Sequence, residues 1–342
     1  MVLMTVKVYC ESIFWRFLIY VAIQYYMSFF IFSAFYILSN RSLIIRRGRL
    51  MADKNLVKEL MQGAIDVHIH TGPDVFDRLV DDFEAAKQAK EAGMKAILIK
   101  NHMTCTADRA QIVSKYTGFP VFGAVALNFP VGGLNPQAVD TAIRMGAKEV
   151  WMPTLHAEEY LADGSHVPMF NKVLKTRLKG MNILAEDGSL KPEVLEILSL
   201  IAENDVILAT GHISIKEAMV LVPKAREMGV KKIFITHPLS PMLNYSISDL
   251  KEILEKGATM IEHNFNDTTH QMKHPISPGV IAEAILKVGA DTVIMSTDGG
   301  QVINPAPVEM LKLFISQMLD LGVSERDIVT MVRDNPARML EI

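Results

Sequence analysis

From residue 63 onward, short β-branched runs alternate with amphipathic helical stretches, and the alternation repeats eight times. The strands read as Ala64 to His70, Lys95 to Lys100, Val121 to Leu127, Glu149 to Leu155, Val206 to Thr210, Lys232 to Thr236, Thr259 to His263 and Thr292 to Ser296. Helix signals fall between them. Asp81 and Glu84 stand at capping-box spacing with Gly93 as a stop, Ser214 and Glu217 repeat the pattern, and Pro192 and Pro278 open further helices. Two helices, Val308 to Leu321 and Glu325 to Leu340, close the chain. Strands separated by helices of this length need parallel pairing with helical crossovers. Eight such units match a (β/α)8 TIM barrel, about 250 residues plus insertions, with a doubly wound open sheet as the alternative. The longest irregular stretch runs from His156 to about Asp187.

A barrel of this kind does its chemistry at the C-terminal ends of the strands. Seven of the ten histidines fall there: His68, His70, His102, His156, His212, His237 and His263. His166, His270 and His274 lie in the loops after the fourth and seventh strands, and none of the ten lies inside an expected helix. Asp66-Val67-His68-Ile69-His70 carries two imidazoles two residues apart, so an extended strand projects both to one face and Val67 and Ile69 to the other. The fifth strand ends Thr210-Gly211-His212, the sixth Thr236-His237-Pro238, and the eighth Ser296-Thr297-Asp298. Four imidazoles and a carboxylate therefore converge on the mouth, a set able to hold one or two divalent metals with positions left for water. Zinc suits such donors first, with manganese or iron as alternatives.

With these residues in place, the chain resembles the amidohydrolase superfamily of metal-dependent hydrolases from about Gly63 to its end. Asp334-Asn335-Pro336-Ala337-Arg338-Met339-Leu340 looks like that superfamily's closing helix. More narrowly, Asp66 to Asp74, Pro130 to Pro136 and Leu208 to Ser214 resemble an uncharacterised branch of it. The resemblance implies His68, His70, His212, His237 and Asp298 as metal ligands, with Asp298 also accepting a proton. One departure stands out. Binuclear members of the superfamily carry a lysine or glutamate at the end of the fourth strand, whereas here Lys148 lies at that strand's beginning. Lys100, ending the second strand, is the nearest lysine on the correct face; it bridges metals, orients substrate or simply reaches along the rim.

Residues 1–50 are of another character. They hold 12 of the 25 aromatic residues and no histidine, proline or aspartate. Ile13 to Leu38 is nearly continuous apolar sequence, longer than the ~20 residues a membrane helix needs, and Arg41, Arg46, Arg47 and Arg49 follow it. This segment reads either as a single membrane helix with the barrel on the cytoplasmic side or as a mis-called start upstream of Met51. In either case residues 51–342 are the barrel domain, free in the cytoplasm or anchored to the membrane and facing the cytoplasm. The net charge of -3 gives no basic surface for nucleic acid, and two cysteines exclude a disulfide framework.

The chemistry expected is metal-assisted hydrolysis of an amide, cyclic amide or ester, with a phosphoester as a further option, in a small-molecule substrate. Asp298, His237 and Lys100 are the candidate catalytic residues, His237 stabilising charge on oxygen where it is not a ligand. His102, His156, Glu262 and His263 are candidate substrate contacts. A decarboxylase or hydratase on the same scaffold, or a non-catalytic metal-binding barrel, are the competing readings. Barrels of this kind commonly self-associate, so a homo-oligomer is expected.

Overall fold

The computed structural model describes residues 53–164 and 179–342. The hydrophobic segment 1–50, with its membrane-helix reading, and His166 lie outside the described residues. Among those described, no helix is long and apolar enough to cross a membrane.

Eight parallel strands run in sequence order: β1 Ile65–His70, β2 Ala96–Lys100, β3 Val121–Ala126, β4 Ala147–Trp151, β5 Ile207–Ala209, β6 Ile233–Ile235, β7 Met260–Asn264 and β8 Val293–Ser296. The sheet closes on itself just past β8, where His70 N donates to the Gly299 carbonyl at 2.7 Å and Asp298 N to the His68 carbonyl at 2.8 Å. Gly300 permits this seam, since a Cβ there would collide with the His70 carbonyl. The expected (β/α)8 barrel is the fold observed.

The described helices are α1 Lys54–Leu60, α2 Asp82–Glu91, α3 Ala107–Thr117, α4 Pro136–Arg144, α5 Glu158–Asp163, α6 Pro192–Asn204, α7 Ile215–Glu227, α8 Ile247–Glu255, α9 Pro278–Val288, α10 Pro307–Asp320, α11 Glu325–Val329 and α12 Asn335–Leu340. The capping boxes at Asp81 and Ser214 form as expected, and Ser246 with Asp249 adds another. α5 falls inside the stretch expected to be irregular; at six residues it is too short to show a helical period. A π-helical turn over Thr330–Asp334 joins α11 to α12.

Two large apolar cores result, and Met103, Leu155, Ala157 and Tyr160 form a smaller third cluster. Outward-facing residues such as Ile69, Ile97 and Val150 pack on the helices. Inward-facing Ile65, Val67, Leu98, Ala124, Trp151 and Phe234 fill the lower barrel, with Met339 and Leu340 of α12 packed into the same cluster.

Two strands depart from simple alternation. β1 pairs Asp66 with Ile97 but Ile69 with Ile99, so one extra residue is accommodated between them. This bulge turns Val67 inward with His68, where strict alternation expects Val67 to share the face of Ile69. β4 ends at Trp151 rather than Leu155. Pro153 has no N–H for a ladder, and Asn128 Oδ1 instead captures the backbone N–H groups of Thr154 and His156.

Candidate metal centre

The bulge in β1 and the seam with β8 together build the centre. Asp298 Oδ1 lies 3.1 Å from His68 Nε2 and 2.9 Å from His70 Nε2. The three ligand atoms fall within 4.8 Å of one another, the one group of this kind among the described residues. Tetrahedral zinc with bonds of about 2.0–2.1 Å would set its ligand atoms about 3.3 Å apart, close to this spacing.

His68 is oriented from behind. Its Nδ1 meets Glu262 Oε1 at 2.9 Å, and Ser296 Oγ donates to the same oxygen at 2.7 Å. A carboxylate on Nδ1 fixes the ring and leaves Nε2 for a cation. Lys100 Nζ also approaches His68 Nε2, at 3.0 Å, and stands 3.9 Å over the Trp151 ring. His70 differs. Arg78 Nη2, itself held by Asp74, approaches His70 Nδ1 at 3.3 Å, so ligation through Nε2 requires that long contact to open. Asp298 is steered by Asn266, whose Nδ2 donates to Oδ2 at 3.1 Å, while Asn304 Nδ2 holds Asn266 Oδ1 at 2.9 Å.

His212 and His237 stand beside this group rather than within it. Their ring centroids are 5.0 Å apart, and that of His237 is 6.0 Å from that of His68. Each has a buried Nδ1 with no hydrogen-bond partner among the described residues. A buried ring nitrogen left this way is costly unless a ligand or cation pairs with it. On that ground, and on the spacing around Asp298, the residues fit a divalent metal.

His237 and Asp298 both take positive φ, 22° and 47°. Such backbone costs about 1–3 kcal/mol per residue and is retained where geometry serves a site.

The protonation states follow from burial and charge. Burial and Lys100 press His68 down, but the Glu262 and Asp298 carboxylates outweigh them and carry it up to about 9. Asp298 is only partly exposed, and desolvation opposes its charge, yet the His68 and His70 imidazoles hold it well below the usual carboxylate range. Burial lowers Lys100 to about 8 and His237 to about 4, and it drives His70, His102 and His212 well below the ordinary imidazole value.

Above the centre opens a cavity of about 590 Å³. His70, His102, His212, His237, Asp298, Arg78 and Asn266 line its polar side, and Phe76, Leu155, Tyr160, Met242 and Met272 its apolar side. Of the expected substrate contacts, only His102 reaches it. Glu262 lies beneath His68 and spends its oxygen there. His263 follows Glu262 on β7 and so takes the face of Ile261, which packs on the helices, away from the cavity. His156 sits edge-on to Phe129, 5.1 Å between ring centroids, outside the cavity lining. Lys100 is wholly buried and does not line the cavity. His270 and His274 are exposed.

Three residues escaped the sequence reading. Asn266 and Asn128 lie just past strand ends, where asparagine reads as a turn former. Glu149 is buried on the inward face of β4, with neither carboxylate oxygen partnered among the described residues, and burial pushes it well above the usual range. Recognising Trp151 as the true end of β4 would have drawn notice to it.

Among solved structures, the chain is similar to an amidohydrolase from Pseudomonas aeruginosa, at 12% identity and a TM-score of 0.51, over 84% of this chain and 97% of that one. It is similar to the organophosphorus hydrolase from Deinococcus radiodurans, at 15% identity and 0.51, over 82% and 93%. A probable dipeptidase from Pseudomonas aeruginosa gives 12% identity and 0.54, over 84% and 97%. The likeness is one of fold, that of amidohydrolase-type enzymes. No curated protein sequence matches the chain. The model of a family of unknown function, DUF6282, matches residues 63–261.

Proposed function

The chain belongs to the DUF6282 family, a family of unknown function, and from that footing we propose that it is a metal-dependent hydrolase of small molecules. The observation that carries this reading is the single oxygen Asp298 Oδ1 lying 3.1 Å from His68 Nε2 and 2.9 Å from His70 Nε2. His68, His70 and Asp298 would hold one divalent cation, with His212 and His237 completing its shell or serving a second. Zinc is the first choice for imidazole-rich donors, with manganese and iron as alternatives. When bound, such a cation acidifies water at neutral pH and polarises a carbonyl or phosphoryl oxygen.

The chain's own residues do the rest. Asp298, kept ionised by its imidazole neighbours and steered by Asn266, takes the proton of the attacking water and delivers it to the leaving group. His237, where it is not a ligand, donates to the oxygen on which charge develops. Lys100 does not line the cavity and acts through His68. The apolar walls at Leu155, Met242 and Met272 exclude water from the reacting bond. A volume of about 590 Å³ suits a small molecule rather than a polymer, within the usual range of about 300–1,000 Å³ for such pockets. The bond cleaved is an amide, cyclic amide, ester or phosphoester.

The test is a hydrolysis screen over lactones, cyclic amides, N-acyl amino acids and phosphoesters, using protein loaded with zinc, manganese or iron. Turnover that disappears on chelation and returns with metal is the expected result. Protein that retains no metal after loading and dialysis, and turns over nothing, overturns the proposal.

A further inference from the structure

A line of hydrogen bonds runs from the loop after β3, through the loop after β4, to one ring nitrogen of His102. It begins at Asn128, which is fully buried. Its Oδ1 accepts from the backbone N–H of Thr154 at 3.1 Å and of His156 at 3.0 Å, and its Nδ2 donates to the His102 carbonyl at 2.8 Å. Backbone groups cannot exchange donor and acceptor roles, so these three partners set the orientation of the amide. The same Nδ2 donates to Thr154 Oγ1 at 2.6 Å. Thr154 is also fully buried, and its hydroxyl must place its own proton. Among the described residues, His102 Nδ1, at 2.9 Å, is the remaining partner of that oxygen. A neutral imidazole that accepts at Nδ1 carries its proton on Nε2.

The ring so fixed lines the cavity. It stacks on His70 with centroids 4.7 Å apart and stands 6.1 Å from His212. A nitrogen that bears a proton cannot ligate a cation; His102 differs from His70, whose Nδ1 meets only the long 3.3 Å Arg78 contact, in that its Nδ1 partner is a buried hydroxyl held at 2.9 Å by the relay.

We infer that His102 is a substrate-binding residue that donates one hydrogen bond from Nε2–H to an acceptor oxygen of the substrate, its tautomer fixed by the Asn128–Thr154 relay. Asn128 and Thr154 are positioning residues. The substrates favoured are those with a carbonyl or phosphoryl oxygen near the cleaved bond. Analogues in which that oxygen is replaced by a methylene leave a buried donor unpaired and are rejected. The inference rests on the hydrolase reading for the identity of that oxygen, but not for the tautomer.

Two measurements test it. Long-range proton–nitrogen correlation NMR on full-length, histidine-labelled protein at neutral pH reads the tautomer directly. Nε2–H is expected for His102, and Nδ1–H or a metal-bound Nε2 overturns the assignment. Kinetics on the metal-loaded protein gives the second. His102→Leu is expected to lower kcat/KM about a hundredfold, the scale of losing one oxyanion donor, and His102→Gln less than tenfold because its amide still donates. Thr154→Val releases the tautomer and loses about tenfold, Thr154→Ser restores it, and bound metal stays constant throughout. Equal losses in the Gln and Leu variants overturn the donor role. An Nε2–H His102 in a protein that hydrolyses nothing supports the relay and overturns the hydrolase reading; turnover with an Nδ1–H His102 does the reverse.

Discussion

The same eight strands build both halves of the barrel interior, and the halves fill their inward positions with opposite chemistry. Toward the strand N-termini the filling is apolar, Ile65, Leu98, Ala124, Ile207, Phe234 and Ile294 with Met339 and Leu340 of α12 packed against it, apart from the buried Glu149, which pairs in register with Ala124 and Ile207. Toward the C-termini it is His68, His70, Lys100, Glu262 and Asn264, all buried. Apolar filling removes surface from water at no electrostatic cost, whereas each buried charge must be paired or strongly shifted. The upper half also holds the positive-φ residues His237 and Asp298. The lower half is therefore filled mainly by apolar packing, while the upper half concentrates the buried polar and charged groups.

That contrast can be broken at either end. Phe234→Ala removes a fully buried ring from the lower half and is expected to cost about 3–5 kcal/mol, read as a lowered urea midpoint. Its folded fraction should bind metal with unchanged stoichiometry. Asp298→Asn should do the converse. Asparagine tolerates the left-handed backbone found at this position, so thermal stability should hold while turnover falls about a thousandfold with loss of the proton acceptor. If Phe234→Ala removed the metal, or Asp298→Asn unfolded the barrel, the two halves would not be separable.

The fold was legible because strand and helix periods differ and capping residues such as Asp81 and Ser214 punctuate them. The grouping of His68, His70 and Asp298 was legible because histidines and an aspartate at strand ends are placed by topology alone. What escaped was local. The bulge that turns both Val67 and His68 inward leaves no mark in a period-two pattern. Apolar Met152 and Leu155 read as strand, yet Pro153 and the capture of Thr154 by Asn128 end β4 at Trp151. His263 follows the inward Glu262 and must face outward, an ordering clear only once the strand is placed between its neighbours. Asn266 could not be told from an ordinary turn residue, although it steers Asp298.

Glu262→Gln probes the boundary between the halves. It keeps an oxygen for His68 Nδ1 and Ser296 Oγ but loses the charge that holds His68 in place. Metal affinity is expected to fall about 10- to 100-fold, the usual range for a partner behind a ligating histidine, measured by competition with a chelating dye. An unchanged affinity would mean that the hydrogen bond to His68 Nδ1 suffices and the negative charge of Glu262 adds nothing to metal binding.

The smallest effect sharpens the comparison most, because it concerns a residue beyond a strand's C-terminal end that has no part in the chemistry. Ser246 caps α8: its Oγ accepts from Asp249 N at 3.2 Å, and its own N–H donates to Asp249 Oδ2 at 2.7 Å. It follows the loop after β6 that brings Met242 to the cavity, but it does not line the cavity itself. Ser246→Ala should cost about 1 kcal/mol of stability through the lost cap, while turnover and metal content stay unchanged. A fall in kcat/KM at constant metal content would show that α8 positions the cavity wall, and that the upper half is functional in its frame as well as in its buried charges.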